Sequence, residues 1–324
     1  MSSLKDLKRP ISNELKEFQT VFKKSVKSSV SLLDVIMNYI LKAKGKQIRP
    51  LIVLYSAALF KGINQSTYRA ATLIELLHTA TLVHDDVVDE SDRRRGRFSI
   101  NALWKNKIAV LVGDYLLSRG MLTALQAKDY NVLEIVSEAV KEMSEGELLQ
   151  IEKARKLDID ENVYYDVIRK KTASLLASCF AAGASSSCQD KDSIKKMWDI
   201  GENAGMAFQI KDDLLDYEKS SVTGKPTGID IKEKKMTLPL IYLLSQSSAL
   251  KKRKIINIVK RHNTNKEKVS WLMNEVKASG GIDYAIDKMT EFKVKSLKLL
   301  GEYPDSEARK ALEQIIEFTI DRKK

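Results

Sequence analysis

The chain has 324 residues, 44% hydrophobic and 30% charged, which is ordinary for a globular protein and enough to bury a substantial core. Its formal charge of +12 comes from lysines spread along the chain among glutamates, not from the clustered basic footprint of a nucleic-acid binder, so no nucleic-acid partner is expected. Only 5 prolines and 14 glycines occur, which favours long helices over many short strands. Cys179 and Cys188 form neither a metal motif nor a disulfide framework, and they suit a cytoplasmic location. The opening MSSLKDLKRPIS lacks the apolar core of a secretory signal, and no uninterrupted apolar run reaches about 18 residues, so no membrane span is expected.

Residues 1 to 30 read as a polar, basic helical lead-in, with Pro10 suited to start a helix over 11 to 25. LLDVIMNYILKA, from Leu32 to Ala43, has apolar residues at helical spacing and closes in the polar turn KAKGKQIRP. A new helix is expected to begin near Pro50 and to break at Lys61-Gly62. Ser66 is placed to cap the next one, which runs through ATLIELLHTATLVHDDVVD and stops before three arginines. An apolar helix opens at Asn101 to Trp104, and residues 131 to 155 carry a long helical pattern with an acidic side. Asp160 is placed to cap ENVYYDVIRKKTASLLASCFAAGASSS, which ends in a small-residue loop at 183 to 190. Residues 191 to 219 form another long helix carrying FQIKDDLLD, followed by the loop SSVTGKPTGIDIKEKKMT and a helical, basic remainder from Leu238. No strand alternation is evident. The expectation is an all-α, single-domain chain over 1–324.

One stretch, ELLHTATLVHDDVVDESDRRRG from Glu75 to Gly96, concentrates the chemistry. Asp85 and Asp89 are four apart, so on a helix they share a face one turn apart. Two such carboxylates repel unless a cation sits between them, and a hard divalent ion such as Mg²⁺ typically binds one or two carboxylates plus substrate phosphates. The arginines that follow suit phosphate, because a guanidinium fork matches two phosphate oxygens. Asp212, Asp213 and Asp216 repeat the spacing of Asp85, Asp86 and Asp89, 127 residues further on. A single such motif is commonly a solvated charge run. Here each copy closes an apolar helical stretch and is trailed by cations: Arg94 and Arg95 after the first, Lys225 and Lys235 after the second. If the two helices face each other, six carboxylates could hold several Mg²⁺ ions around one diphosphate.

With these motifs the chain resembles the trans-prenyl diphosphate synthases, and the likeness covers nearly all of it. The matching pieces are GKQIRP (Gly45 to Pro50), LLHTATLVHDDVVDESDRRRG, GDYLLS (Gly113 to Ser118), RKKTASLL, FQIKDDLLD and GKPTGIDIKEKKMTLP. The resemblance implies an all-α bundle around a deep central cavity and a homodimer. It also implies Mg²⁺-dependent condensation of an allylic diphosphate with isopentenyl diphosphate, with about three ions per site and Mn²⁺ as a substitute. By the same likeness Asp85, Asp89 and Asp212 are the metal ligands, with Asp86, Asp213 and Asp216 in lesser, second-sphere roles. Lys46, Arg49, His78 and Arg95 match the isopentenyl diphosphate pocket. Arg94, Lys171, Thr172, Gln209, Lys225 and Lys235 match groups around the allylic diphosphate. A lone histidine in an apolar pattern is commonly a packed core residue, but His78 lies seven before Asp85 and on nearly the same face. His84 and His262 read as structural, Arg93 as exposed, and Cys179 as core.

Product length should depend on what blocks the cavity below the first aspartates. Ala80 and Thr81 lie roughly 6 to 8 Å below Asp85 and are small, whereas short-product members of the resembling family commonly carry a bulky aromatic there. The next bulky candidates are Leu77, Leu76 and Ile74, with Leu148 to Ile151 and Tyr164 to Ile168 as further floor-forming residues. A product of about C30 to C40, such as a quinone side-chain precursor, is therefore expected, with a C15 to C20 synthase as the alternative. A class I terpene cyclase or a head-to-head synthase would lack the second DDLLD and GKQIRP. A non-catalytic partner subunit of a heteromeric prenyltransferase would lack part of the aspartate or arginine set. Transient contact of the basic surface with a membrane during product release is physically reasonable.

Overall fold

The computed structural model describes residues 4–42, 45–94, 96–156, 160–218 and 228–320. In chain order the elements are α1 (Leu4–Lys8), α2 (Ser12–Ser25), α3 (Ser31–Leu41), α4 (Ile48–Ala58) and α5 (Gln65–Val88). A short antiparallel ladder follows, β1 (Arg93–Arg94) and β2 (Arg97–Phe98). Then come α6 (Ile100–Gln126), α7 (Tyr130–Lys156), α8 (Glu161–Ile168), a π-helical turn (Arg169–Ala173), α9 (Ser174–Ser185) and α10 (Lys191–Leu215). The chain closes with α11 (Ile229–Lys232), α12 (Leu238–Ser245), α13 (Ala249–Arg261), α14 (Lys266–Ala278), α15 (Gly281–Leu300) and α16 (Glu307–Ile320). The all-α expectation holds, with the two-residue ladder as its one exception among the described residues.

The described chain falls into two compact units. Met1–Val140, Ser178–Trp198 and Tyr303–Ile315 make the first; Lys141–Ala177, Asp199–Glu302 and Ile316–Lys324 make the second. In the first, α5 is the core helix: Ala70, Leu73, Ile74, Leu76, Leu77, Ala80 and Val83 are all buried, so it is apolar around most of its circumference. It packs against α2, α4 and, most extensively, α6. Leu76, Ala80 and Val83 meet Ala109, Val112 and Leu116 of α6 and Ile36 and Met37 of α3 in one cluster. By length and composition α6 could cross a membrane; one of its faces is this core contact.

In the second unit, α12 is almost wholly apolar and packs on α8, α14 and α15. Leu240, Ile255, Leu272, Val276, Ile210 and Tyr164 share its core. Burial of this kind supplies the main favourable term for each unit, about 25 cal/mol per Å² of apolar surface removed from water.

Local chemistry moves three features away from the sequence expectations. The cap of α5 is Asn64, not Ser66: its side chain accepts from the backbone N–H of Ser66 and Thr67, and Thr67 returns a hydroxyl to the Asn64 N–H as a capping box. The helix expected from Asp160 begins as foreseen, with Asp160 accepting from Val163 N–H at 2.9 Å, but widens into the π turn before α9. The arginine segment, expected only to lie beyond the end of the aspartate helix, forms the β1–β2 hairpin, with Arg94 opposite Arg97 and Gly96 at φ +76° in the connecting turn.

Candidate active site

In the first unit the DDxxD motif ends α5. Asp85 is half-buried, Asp86 buried and Asp89 exposed at the helix cap, where its N–H donates to Asp85 carbonyl at 2.8 Å. Asp86 turns inward because Arg94 Nε donates to its Oδ1 at 2.7 Å. The hairpin that carries Arg94 is tied down on several sides. Ser91 N–H donates to Asp86 carbonyl at 2.9 Å, and Ser99 hydroxyl to Ser91 carbonyl at 2.6 Å. Tyr39 hydroxyl reaches Phe98 carbonyl at 2.7 Å, while Arg97 lies over the Tyr39 ring and Arg93 over Phe98. Arg93, read from sequence as simply exposed, is thus exposed and stacked. Arg95 lies outside the described residues.

The other candidate residues of the first unit lie on or beside α4 and α5. His78 is half-buried two turns before Asp85, and Thr81 donates its hydroxyl to the His78 carbonyl at 2.9 Å. Ala80 is fully buried and Leu77 nearly so, whereas Thr81 is half-exposed. Lys46 is exposed just before α4, next to Gln47 in a left-handed conformation, and Arg49 is half-buried in the first turn. Burial pushes the Cys179 thiol up to about 12, against a lowering from Arg49, so this cysteine stays a protonated core residue. His84 contacts α6: its Nε2 lies 3.2 Å from Val110 carbonyl and 3.4 Å from Asp114 Oδ1. A Cβ at Gly113 would sit 2.1 Å from that nitrogen, so any larger residue in the glycine position of GDYLLS would push the half-exposed His84 ring aside.

In the second unit Asp212 is exposed near the end of α10, while Asp213 and Asp216 are buried. Asp213 accepts from Tyr164 hydroxyl at 2.7 Å and from Gln209 Nε2 at 2.8 Å, and Gln209 Oε1 accepts from Thr172 hydroxyl at 2.8 Å. Burial, with Asp230 nearby, pushes the Asp213 carboxyl up to about 7 in spite of those two donors. Asp216 accepts from the N–H groups of Ile229 and Asp230 at 3.0 and 3.2 Å and so caps α11. Lys171 and Thr172 ride on the π turn, a geometry frequent at functional sites. Gly146 of α7 permits the approach: a Cβ there would lie 2.6 Å from Lys171 N. Lys171 pairs with Glu147. Lys235 reaches Glu233 at 2.6 Å and Asp230 at 3.7 Å; burial pulls its pKa down, but these acids outweigh it and the ammonium is held above its ordinary value. Burial likewise raises Asp230 to about 6, against the lowering from Lys235. Lys225 lies outside the described residues.

Among the described residues no group of three or more His, Cys, Asp or Glu side chains is already gathered for a metal ion. The donor chemistry still fits a hard divalent cation. Asp85 and Asp89 offer carboxylate oxygens one turn apart, and Asp212 offers another at an exposed position. Asp86, Asp213 and Asp216 are buried and turn their carboxylates to internal partners. Sequence reasoning overlooked Tyr164 as a partner of the second motif, along with Glu147, Asp230 and Glu233. A tyrosine 49 residues before its acceptor leaves no local spacing signal.

The model of the family described as "Polyprenyl synthetase" matches residues 30–276. The chain is 35% identical to octaprenyl diphosphate synthase of Escherichia coli (strain K12), over 91% of each chain. It superposes on the crystal structure of a decaprenyl diphosphate synthase from Rhodobacter capsulatus with TM-score 0.92 and 30% identity, covering 98% of this chain and 99% of that one. It also superposes on a geranylgeranyl pyrophosphate synthase from Bacteroides thetaiotaomicron with TM-score 0.82 and 37% identity, covering 98% of both. A family model spanning most of the chain, reached independently from the paired aspartate motifs, means that this protein belongs to the polyprenyl synthetase family of prenyltransferases.

Proposed function

We propose that this prenyltransferase condenses an allylic diphosphate, farnesyl or geranylgeranyl, with successive isopentenyl diphosphates. The product is an all-trans polyprenyl diphosphate of about C30 to C40, the length used for quinone side chains. The observation that carries the chain length is the small pair Ala80 and Thr81 beneath Asp85. Overall similarity does not decide it, since a geranylgeranyl and an octaprenyl synthase resemble the chain to nearly the same degree.

Asp85, Asp89 and Asp212 would hold Mg²⁺, three ions per site with Mn²⁺ as a substitute. Bound there, the metal supplies positive charge that stabilises the departing diphosphate more than the bound ester. Arg94, Lys171, Thr172, Gln209, Lys225 and Lys235 orient that same diphosphate, and Lys46, Arg49, His78 and Arg95 orient the isopentenyl one. Breaking the allylic C–O bond leaves a cation, which the isopentenyl double bond attacks to form the new C–C bond. One proton is then lost, and we assign its acceptor to an oxygen of the released diphosphate. We assign contact with the growing tail to Thr81, which lies between His78 and Asp85 and is half-exposed.

We assign a homodimer on the apolar stripe that α6 exposes beyond its kink at Lys105, formed by Val110, Leu111, Met121, Leu122 and Leu125. The two free thiols suit a cytoplasmic site. The charge is less evenly spread than expected: the α13–α14 segment, residues 249–278, holds nine Lys and Arg against two Glu, a surface suited to touch an anionic membrane as an oily product leaves. The test of chain length is product analysis of wild type and Thr81→Tyr. We expect wild type to reach about C30 to C40 and the variant to stop near C15 to C20. A wild type that itself stops at C15 or C20 removes the long-chain reading.

A further inference from the structure

Four side chains of the second unit form one hydrogen-bonded line. Tyr164 donates to Asp213 Oδ2 at 2.7 Å, Gln209 Nε2 donates to Asp213 Oδ1 at 2.8 Å, and Thr172 donates to Gln209 Oε1 at 2.8 Å. The direction of the line is set at Asp213, which takes a donor on each oxygen. Gln209 must therefore turn its amide nitrogen toward Asp213 and its carbonyl toward Thr172. Tyr164 anchors the whole line. It is 4% exposed, and its ring sits in the second unit's apolar core and tilts against Tyr165 at 5.6 Å between centroids. The same core cluster holds Ile168, just before the π turn carrying Thr172, and Ala173, the last residue of that turn.

We propose that Tyr164 is a positioning residue for the allylic diphosphate: by holding Asp213 inward it fixes the Gln209 amide and, through it, the Thr172 hydroxyl. It touches no substrate. It also keeps Asp213 turned away from its neighbour Asp212, so that a single carboxylate of the pair faces outward. The proposal rests on the reading of Thr172, Gln209 and Asp212 as diphosphate and metal groups.

The test uses the full-length protein and Tyr164→Phe, which removes one hydroxyl and keeps the ring. Calorimetric binding of inorganic diphosphate in the presence of Mg²⁺ should weaken by roughly tenfold or more, the range for leaving a buried charged acceptor without its donor. KM for the allylic diphosphate should rise by a similar factor, while KM for isopentenyl diphosphate stays within about twofold, because Lys46, Arg49 and His78 take no part in the line. Asp213→Asn breaks the same line at its centre and should show the same one-sided rise, and adding Tyr164→Phe to it should cost less than about twofold more. Diphosphate binding as tight as in wild type, an equal rise in both KM values, or effects of the two substitutions that multiply would each overturn the proposal. If Tyr164→Phe lowers the melting temperature too far to assay, Asp213→Asn alone decides by the same one-sided criterion. A wild type that incorporates no isopentenyl diphosphate would overturn the enzymatic reading instead, and the calorimetric comparison would still decide the role of Tyr164.

Discussion

Asp86 and Asp213 hold the same place in the two aspartate motifs and have the same fate: each is buried and turned to an internal partner, Arg94 for one and Tyr164 with Gln209 for the other. The first aspartate of each motif is more open, Asp85 half-buried and Asp212 exposed. Loss of Asp85 or Asp212 should therefore injure chemistry and spare the fold. Asp85→Ala or Asp212→Ala should lower turnover by about 10²-fold or more with an unchanged helical circular dichroism spectrum, and retained activity would remove these residues from the metal set. Arg94→Ala should behave differently, because it leaves a buried carboxylate without its cation. A thermal melt should show a stability loss of about 1 to 3 kcal/mol alongside the loss of activity. The spacing of the aspartates was legible in the sequence. Which of the three turns inward was not, since that depends on Arg94 in a hairpin and on a tyrosine 49 residues away.

At the scale of elements, α5 and α6 frame the candidate residues of the first unit, and one contact between them is tight. Gly113 leaves room for the His84 ring, which sits next to Asp85 in the chain. Alanine normally favours a helix by about 1 kcal/mol over glycine, and its Cβ at Gly113 would fall 2.1 Å from His84 Nε2, so Gly113→Ala should turn the half-exposed His84 ring away from Val110 and Asp114 and shift its NMR signals. Unchanged His84 ring signals in Gly113→Ala would contradict this packing. The same burial bears on chain length. Ala80 is fully enclosed by the α3–α6 cluster, so a bulky residue there would disturb the core as well as any tail, whereas Thr81 is half-exposed and gives the cleaner test. Helix positions were readable from apolar spacing, including the Asp160 cap. The β1–β2 hairpin was not, because RRRGRF has no apolar alternation and only Gly96 marks the turn. Neither was the π turn under Lys171 and Thr172, since a single extra residue within a helix leaves its apolar pattern nearly intact.

For the whole molecule, scarce proline and glycine with helical apolar spacing made the all-α class legible. The two units were not, because four of their five boundaries fall within α7, α9, α10 and α16, and only the one at Glu302–Tyr303 lies in a loop. The α6 stripe carries a prediction about assembly. Leu111 and Leu122 are 56% and 40% exposed, and replacing both with lysine should convert a dimer into a monomer in sedimentation velocity, while a wild-type monomer would remove the assignment. The central claim is that this chain extends an allylic diphosphate by repeated addition of isopentenyl units with the help of a divalent cation. It is tested most directly by incubating the purified protein with labelled isopentenyl diphosphate and C5, C10, C15 or C20 allylic primers, with Mg²⁺ and with EDTA. The account predicts label in products of about C30 to C40 with Mg²⁺ and none with EDTA. No incorporation with any primer would contradict it.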